Sequence, residues 1–257
     1  MARRRALILI LVCSSLTQLP AQVSAQGISA RNQRRGDTPT ALQIVERFIQ
    51  ALGGRAAWLK IKSEHTTGTI EVPATGVKGT FESYAKATNQ SFLVMKFPGA
   101  EIRTGFDGKK SWTQIGQDPA QYDPPEKQRP NQPEHDFHKY LNFKKHYPNA
   151  KVLGIEEVEG VKAYVVQAAW VSGRHPQKFF FDIKTGLLIL RDDGYVGEDG
   201  VKKVSLMYYS DYRQVGGVKL ACGLRIVQDD IVLITKYLEV KHNIAIPDAI
   251  FNLPAAR

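Results

Sequence analysis

The sequence predicts a mainly β, α+β fold: a curved antiparallel meander sheet, an incomplete β-barrel of about eleven strands, with helices covering its concave face. Three observations lead there. Residues 178–191 read Lys-Phe-Phe-Phe-Asp-Ile-Lys-Thr-Gly-Leu-Leu-Ile-Leu-Arg, two apolar runs around a polar turn. The runs are too short and too rich in aromatic or β-branched residues for independent helices, and the glycine allows the positive φ of a tight reversal, so the stretch predicts a β-hairpin. Nearly every other segment after residue 64 repeats this rhythm. So many strands exceed what a flat sheet carries comfortably, and the sheet is expected to curl.

The chain has 257 residues, enough for one large β domain or two small ones. With 43% hydrophobic and 23% charged residues, its composition is that of a soluble globular protein. The formal charge is +10, and loss of Arg3, Arg4 and Arg5 with a signal peptide leaves +7. That balance favours an anionic surface. The basic residues are spread over strand alternations and helix faces without a dense block, so no nucleic-acid site is expected. Cys13 falls in the presumed signal, which leaves Cys222 as the lone thiol of the mature chain. A disulfide scaffold and a cysteine zinc cluster are thereby excluded, and Cys222 is expected to be a small buried apolar residue.

Residues 1–25 have the pattern of a secretory signal. Arg3-Arg4-Arg5 forms the basic start, residues 6–12 the apolar core, and Val23-Ser24-Ala25 the small residues a signal peptidase reads. Cleavage near Ala25 would deliver the chain to the periplasm or the exterior. Residues 26–39 are polar and predict a disordered leader. Residues 40–52 predict a helix, capped by Thr38 or Thr40, with Leu42, Val45, Phe48, Ile49 and Leu52 on its apolar face and Gly53-Gly54 ending it. Residues 56–61 predict a second short helix.

Strands are then expected at 66–72, 77–87, 90–97, 101–106 and 110–115, with Asp107-Gly108 as a hairpin turn. Residues 117–133 carry Pro119, Pro124, Pro125, Pro130 and Pro133, and predict a loop without ladder hydrogen bonds. Residues 134–147 predict an amphipathic helix with Phe137, Tyr140, Leu141 and Tyr147 on one side, stopped by Pro148. A loop and helix inserted into a meander suggest a lid. The meander resumes at 151–158 and 161–170, continues through the hairpin at 178–191, and follows a polar loop at 192–200. Strands at 202–212, 218–228 and 231–242 complete it, with one helical turn expected near 247–251.

Motifs for chemistry are sparse. There is no Gly-x-Ser-x-Gly elbow, no P-loop and no dinucleotide fingerprint. His135, His138 and His146 are spaced for one helix but lack a third ligand type and the His-Glu-x-x-His pattern, so solvent-facing histidines are the expectation and a metal is not. Asp192-Asp193, Glu198-Asp199 and Asp229-Asp230 sit beside glycines or in turns and are explained as turn formers. What remains is apolar surface. Phe92, Val94, Trp112, Tyr164, Val166, Phe179, Phe181, Leu188, Tyr208, Ile226 and Leu233 fall on alternating strand positions. They would fill a core, or line an apolar cleft wherever the concave face stays open.

The order of several stretches resembles a known family. Ala51-Leu52-Gly53-Gly54-Arg55-Ala56-Ala57, Gly76-Val77-Lys78-Gly79-Thr80-Phe81, Gly105-Phe106-Asp107-Gly108-Lys109-Lys110-Ser111-Trp112 and Phe180-Phe181-Asp182-Ile183-Lys184-Thr185-Gly186-Leu187-Leu188 are similar to a branch of the LolA/LolB-like outer-membrane lipoprotein-sorting proteins. The likeness covers residues 40–254, and implies a single such domain over 40–257 with the insertion at 117–147. It implies an incomplete β-barrel with a helical lid over an apolar cavity that carries acyl chains through the periplasm. The carriers close their lid through an arginine about where this chain reads Phe92-Leu93-Val94-Met95; the next strand offers Arg103 instead. The fold and cavity therefore carry over, and the lipoprotein cargo does not.

The resulting expectation is a periplasmic, non-enzymatic binder or carrier of a lipid, lipoprotein acyl chain or other hydrophobic ligand. No cofactor or metal is expected, and the eleven apolar residues above are the candidate ligand contacts. A transient contact with anionic membrane or a membrane delivery partner would follow from the basic charge. The rival expectations are a protein-interaction or scaffold module with a self-filled core, and an enzyme built on His135 and His138.

Overall fold

The computed structural model of the chain describes residues 38–125, 128, 133–170, 175–196 and 200–255. The expected signal peptide and nearly all of the leader lie outside these residues.

The first element is α1 (Ala41–Ala51), closed at its start by a reciprocal cap: Thr40 Oγ1 accepts from the Gln43 amide at 3.3 Å, and Gln43 Oε1 accepts from the Thr40 amide at 2.8 Å. Its buried stripe is Ala41, Ile44, Val45, Phe48 and Ile49. Leu42, expected on that stripe, lies at its edge, about a quarter of a turn from its centre, and is 42% exposed. Gly53 takes φ +109° and ends the helix where a Cβ would meet the Gly217 carbonyl oxygen at 2.7 Å. A short α2 (Arg55–Leu59) follows.

The strands are β1 (Ser63–Val72), β2 (Val77–Lys86), β3 (Gln90–Phe97), β4 (Ala100–Phe106), β5 (Ser111–Ile115) and β6 (Gln121–Tyr122). After the insertion and α3 (Phe143–His146) come β7 (Lys151–Val158), β8 (Val161–Ala168), β9 (Gln177–Asp182), β10 (Leu188–Asp192), β11 (Tyr195–Val196), β12 (Lys202–Lys203), β13 (Ser205–Val215), β14 (Val218–Gln228) and β15 (Ile231–His242). Thirteen form one sheet in the order β6-β5-β4-β3-β2-β1-β15-β14-β13-β10-β9-β8-β7, every pair antiparallel. The sheet stays open, with β6 and β7 as edges, and matches the expected curved, unclosed barrel. The pairing of β1 with β15 joins the two halves of the meander, Glu64 opposite His242 through Glu71 opposite Ile234.

The 178–191 hairpin forms as expected. Asp182 organises its turn by accepting from the Lys184 amide at 2.9 Å and the Thr185 hydroxyl at 2.5 Å, and Gly186 takes φ +75°. Three expectations need correction. The proline-rich loop contains β6, which pairs with β5 through Trp112 opposite Tyr122; residues 120–123 hold no proline, so their amides are free for a ladder. The 192–200 loop is not wholly irregular, because β11 and β12 form a small ribbon. The helix expected over 134–147 is a 3-10 turn (Pro133–His135), a series of turns and the single-turn α3. Its side chains are fixed by tertiary contacts instead, which override a weak local preference.

Candidate ligand-binding cavity

Cross-strand pairing follows one face across the sheet. Phe179 lies opposite Arg191, Arg191 opposite Met207, Met207 opposite Ile226 and Ile226 opposite Leu233. Residues directly opposite share a face. The same face continues through Thr235–Ile70, Phe81–Met95 and Thr104–Thr113. This inner face has two differently furnished halves.

Over β8, β9 and β10 it is filled. Val166, Phe179, Phe181 and Leu188 are at most 2% exposed and bury against Phe48, Ile49 and Leu52 of the helical layer, with Phe143 and Tyr147 of the insertion beside them. Phe48 meets Phe181 at 5.4 Å between centroids and Tyr140 edge-on at 5.0 Å. Polar contacts tie the insertion down at this end. Arg191, 9% exposed, reaches Glu134 at 3.3 Å and Asp193 at 2.7 Å. Tyr147 Oη donates to Gln177 Oε1 at 2.6 Å, and Gln177 Nε2 donates to Asp193 at 2.7 Å. Burial raises the Asp193 carboxyl in spite of Arg191. Burial, reinforced by the neighbouring Arg191 charge, lowers the Lys139 ammonium to about 8.

Over β1–β5, β14 and β15 the inner face is open. A cavity of about 580 Å³ lies there, floored by Ser83, Leu93, Thr104 and Thr113, with Ile70, Phe81, Met95, Phe106, Leu224, Ile226, Leu233 and Tyr237 around them. The volume suits a small organic ligand. The sequence makes the room: the positions that would fill the middle carry Ser83, Ala85, Ser91, Thr104 and Thr113, and among the described residues no helix of α1's length lies over them. His135 closes one side, its ring stacked on Phe106 with centroids 3.8 Å apart. Asp123 stands beside it, accepting a hydrogen bond from Thr113 Oγ1 at 2.8 Å. Burial lowers the His135 pKa against the opposing pull of Glu134 and Asp123, so the ring is neutral at pH 7.

The eleven candidate contacts divide among three places. Ile226 and Leu233 line the cavity from the inner face. Tyr164, Val166, Phe179, Phe181 and Leu188 belong to the core beneath α1. Phe92, Val94, Trp112 and Tyr208 stand on the outer face. Phe92 lies opposite Tyr84 and Gly105, and Gly105 opposite Trp112, one row out of phase with Leu93 and Thr113. Their rings associate there, Phe92 with Trp112 at 5.8 Å, and the Trp112 indole donates to the Phe251 carbonyl at 2.8 Å beneath the C-terminal 3-10 turn (Asp248–Phe251). Phe92 and Trp112 thus border the cavity through the strand row that floors it. Val94 lies opposite Arg103 on that face and is buried. Tyr208 packs with the small outer core of Ala163, Val165, Phe180 and Leu190.

The histidines are not solvent-facing, a correction with one common cause: the insertion is pinned by its polar side chains. His146 Nε2 meets Asp136 at 2.6 Å with both side chains about 10% exposed. His138 Nε2 lies 3.2 Å from the Trp58 carbonyl oxygen, and His135 abuts the cavity. The three rings face three different partners. Among the described residues, no group of three or more His, Cys, Asp or Glu side chains is placed to hold a metal. Arg103 pairs with Glu101 on its own strand, and Arg191 is the arginine that joins insertion to sheet. Cys222 is buried as expected.

Solved structures share this architecture. A DUF1329 family protein from Desulfovibrio piger superposes with a TM-score of 0.58 at 12% identity, over 84% of this chain and 98% of that one. A LolA superfamily protein from Nitrosomonas europaea gives 0.57 at 14% identity, over 84% and 98%. The fold is thus one that a LolA superfamily protein also has. A putative outer membrane lipoprotein-sorting protein domain from Vibrio parahaemolyticus gives 0.53 at 12% identity, over 82% and 95%. No protein-family model matches the sequence, and no curated protein matches it. Sequence reasoning missed the cavity's Phe81, Thr104, Phe106 and Asp123, and expected His135 to face solvent. Alternation could have found Phe81, Leu93 and Met95, had these strands been read from the hydroxyl-bearing row and not from the aromatic one.

Proposed function

We propose that the mature chain is a periplasmic, non-enzymatic binder or carrier of a hydrophobic ligand, held in the cavity over β1–β5, β14 and β15. The observation that carries this is an apolar cavity of about 580 Å³ on a sheet whose other half is filled by its own side chains. A self-filled core describes only that other half. Burial of an acyl chain would stabilise a complex by about 0.8 kcal/mol per methylene. The LolA-type fold is consistent with this use, since one of its bearers is described as a putative lipoprotein-sorting domain. The signal-like residues 1–25 support export, and the basic charge supports a transient contact with anionic membrane during loading or delivery.

Native mass spectrometry and lipid extraction on protein exported to a bacterial periplasm test the proposal. Co-purifying lipid, or stoichiometric uptake of an added apolar probe, is the expected result. A bare polypeptide mass with no uptake would overturn it and favour an interaction module.

A further inference from the structure

The cavity is apolar but not uniformly so, and among its described lining residues the charge has one sign. Among the described residues that line it there is no lysine or arginine; the charged side chain is Asp123. Asp123 takes one hydrogen bond from Thr113, which leaves further acceptor capacity on its carboxylate. The imidazole of His135 lies nearby, stacked on Phe106 and without a hydrogen-bond partner among the described residues. Thr235 Oγ1 is buried in the wall with no partner, although its residue is only 8% exposed. A buried unpaired hydroxyl is costly unless a ligand or water completes it. Two described cations of the insertion's seam are engaged away from it: Arg191 of β10 lies between Glu134 and Asp193, and Lys139 lies over the Tyr140 ring.

We infer that the cavity selects the polar end of its occupant, taking long-chain amphiphiles whose head donates hydrogen bonds and carries no negative charge, an alcohol or an amine, against Asp123, Thr113 and His135. This rests on the ligand-carrier function proposed above and narrows its ligand class. A carboxylate or phosphate head drawn into the cavity would meet the Asp123 carboxylate with no compensating cation among the described lining residues, a like-charge encounter that costs affinity. A hydroxyl or ammonium would donate to Asp123 and to the neutral imidazole. The tail would lie along Leu93, Met95, Leu224 and Ile226.

Displacement of bound phenylnaphthylamine, an apolar fluorophore, separates this selectivity from the existence of the cavity. Three competitors share one tetradecyl-length chain and differ at the head: monomyristin, tetradecylamine and myristate. Monomyristin and tetradecylamine should each displace the probe at about tenfold lower concentration than myristate at pH 8, a factor worth one decade of affinity. Asp123→Asn, which keeps the acceptor for Thr113, should bring myristate to within about threefold of the other two. The ratio of monomyristin to tetradecylamine in the two proteins tells an alcohol site from an amine site. Equal or better displacement by myristate in the wild type would overturn the selectivity while leaving the cavity in place. No saturable uptake of phenylnaphthylamine would overturn the cavity function, and the selectivity with it.

Discussion

The two halves of the inner face belong to one sheet, one meander and one alternation, yet one is solid and the other hollow. In the solid half, Val166, Phe179, Phe181 and Leu188 face a helix whose stripe is Ile44, Val45, Phe48 and Ile49. In the hollow half, Ser83, Ala85, Thr104 and Thr113 face open space. The difference lies in side-chain volume and in where the one long helix docks. Packed interiors leave few voids larger than a water molecule, so a row of small side chains without a covering helix makes a cavity by omission. α1 is anchored towards the solid side by Arg47, which donates to the Lys184 carbonyl at 2.9 Å, and its C-cap is tied to the start of β14, where the Lys219 amide donates to the Leu52 carbonyl at 2.8 Å.

If the halves differ in this way, substitutions should separate stability from binding. Phe179→Ala deletes a ring 2% exposed between Phe143, Tyr147 and Phe181. Urea unfolding should show a loss of about 3–5 kcal/mol, while the folded fraction keeps its affinity for an apolar probe. Asp136→Asn breaks the insertion's internal tie. Burial opposes the Asp136 charge, but hydrogen bonds from His146, Asn142 and the His138 amide hold its carboxyl below the usual range. A carboxyl with a lowered folded pKa contributes stability above its unfolded value near 4 and loses it as pH falls through the folded one. The variant should therefore be about 1.5–3 kcal/mol less stable at pH 7, with the gap shrinking below about pH 4 in matched unfolding curves.

Lys139→Met should act in the other direction. The ammonium is lowered to about 8 when folded, so between that value and the unfolded value near 10.4 the unfolded chain binds more protons and stability rises with pH. Removing this desolvated, half-buried charge should raise the melting temperature by a few degrees at pH 7, and the gain should fade as the scan approaches pH 10. Smallest of all, Tyr208→Leu on the outer face removes a ring 3.6 Å from the Arg225 guanidinium and should cost about 0.5–1 kcal/mol without changing probe affinity. A loss of binding there would place the ligand on the wrong face.

The sheet was legible because its signals are local. Asp107-Gly108, Glu159-Gly160 and Gly216-Gly217 mark hairpins by chemistry that only tight turns need, and the strands between them begin and end close to where alternation puts them. The cavity was not legible. Sequence reasoning selects large apolar residues, and in a half-filled sheet those mark the filled part: Phe179 and Phe181 lie under α1, while Trp112 lies under the C-terminal turn. The hollow is marked by serines and threonines, which on a strand resemble solvent-facing positions. The insertion was misread because Phe137, Tyr140 and Tyr147 suggest a helical stripe, whereas Asp136, His138 and His146 hold turns instead.

The most direct test fills the hollow. Thr104→Trp puts an indole over the cavity floor, opposite Thr113 and away from the solid half. Titration with phenylnaphthylamine should give one saturable site per wild-type chain and at least about a tenfold weaker one in the variant, with the melting temperature unchanged or raised. Undiminished uptake by a folded Thr104→Trp chain would contradict the assignment of the hollow half as the binding site.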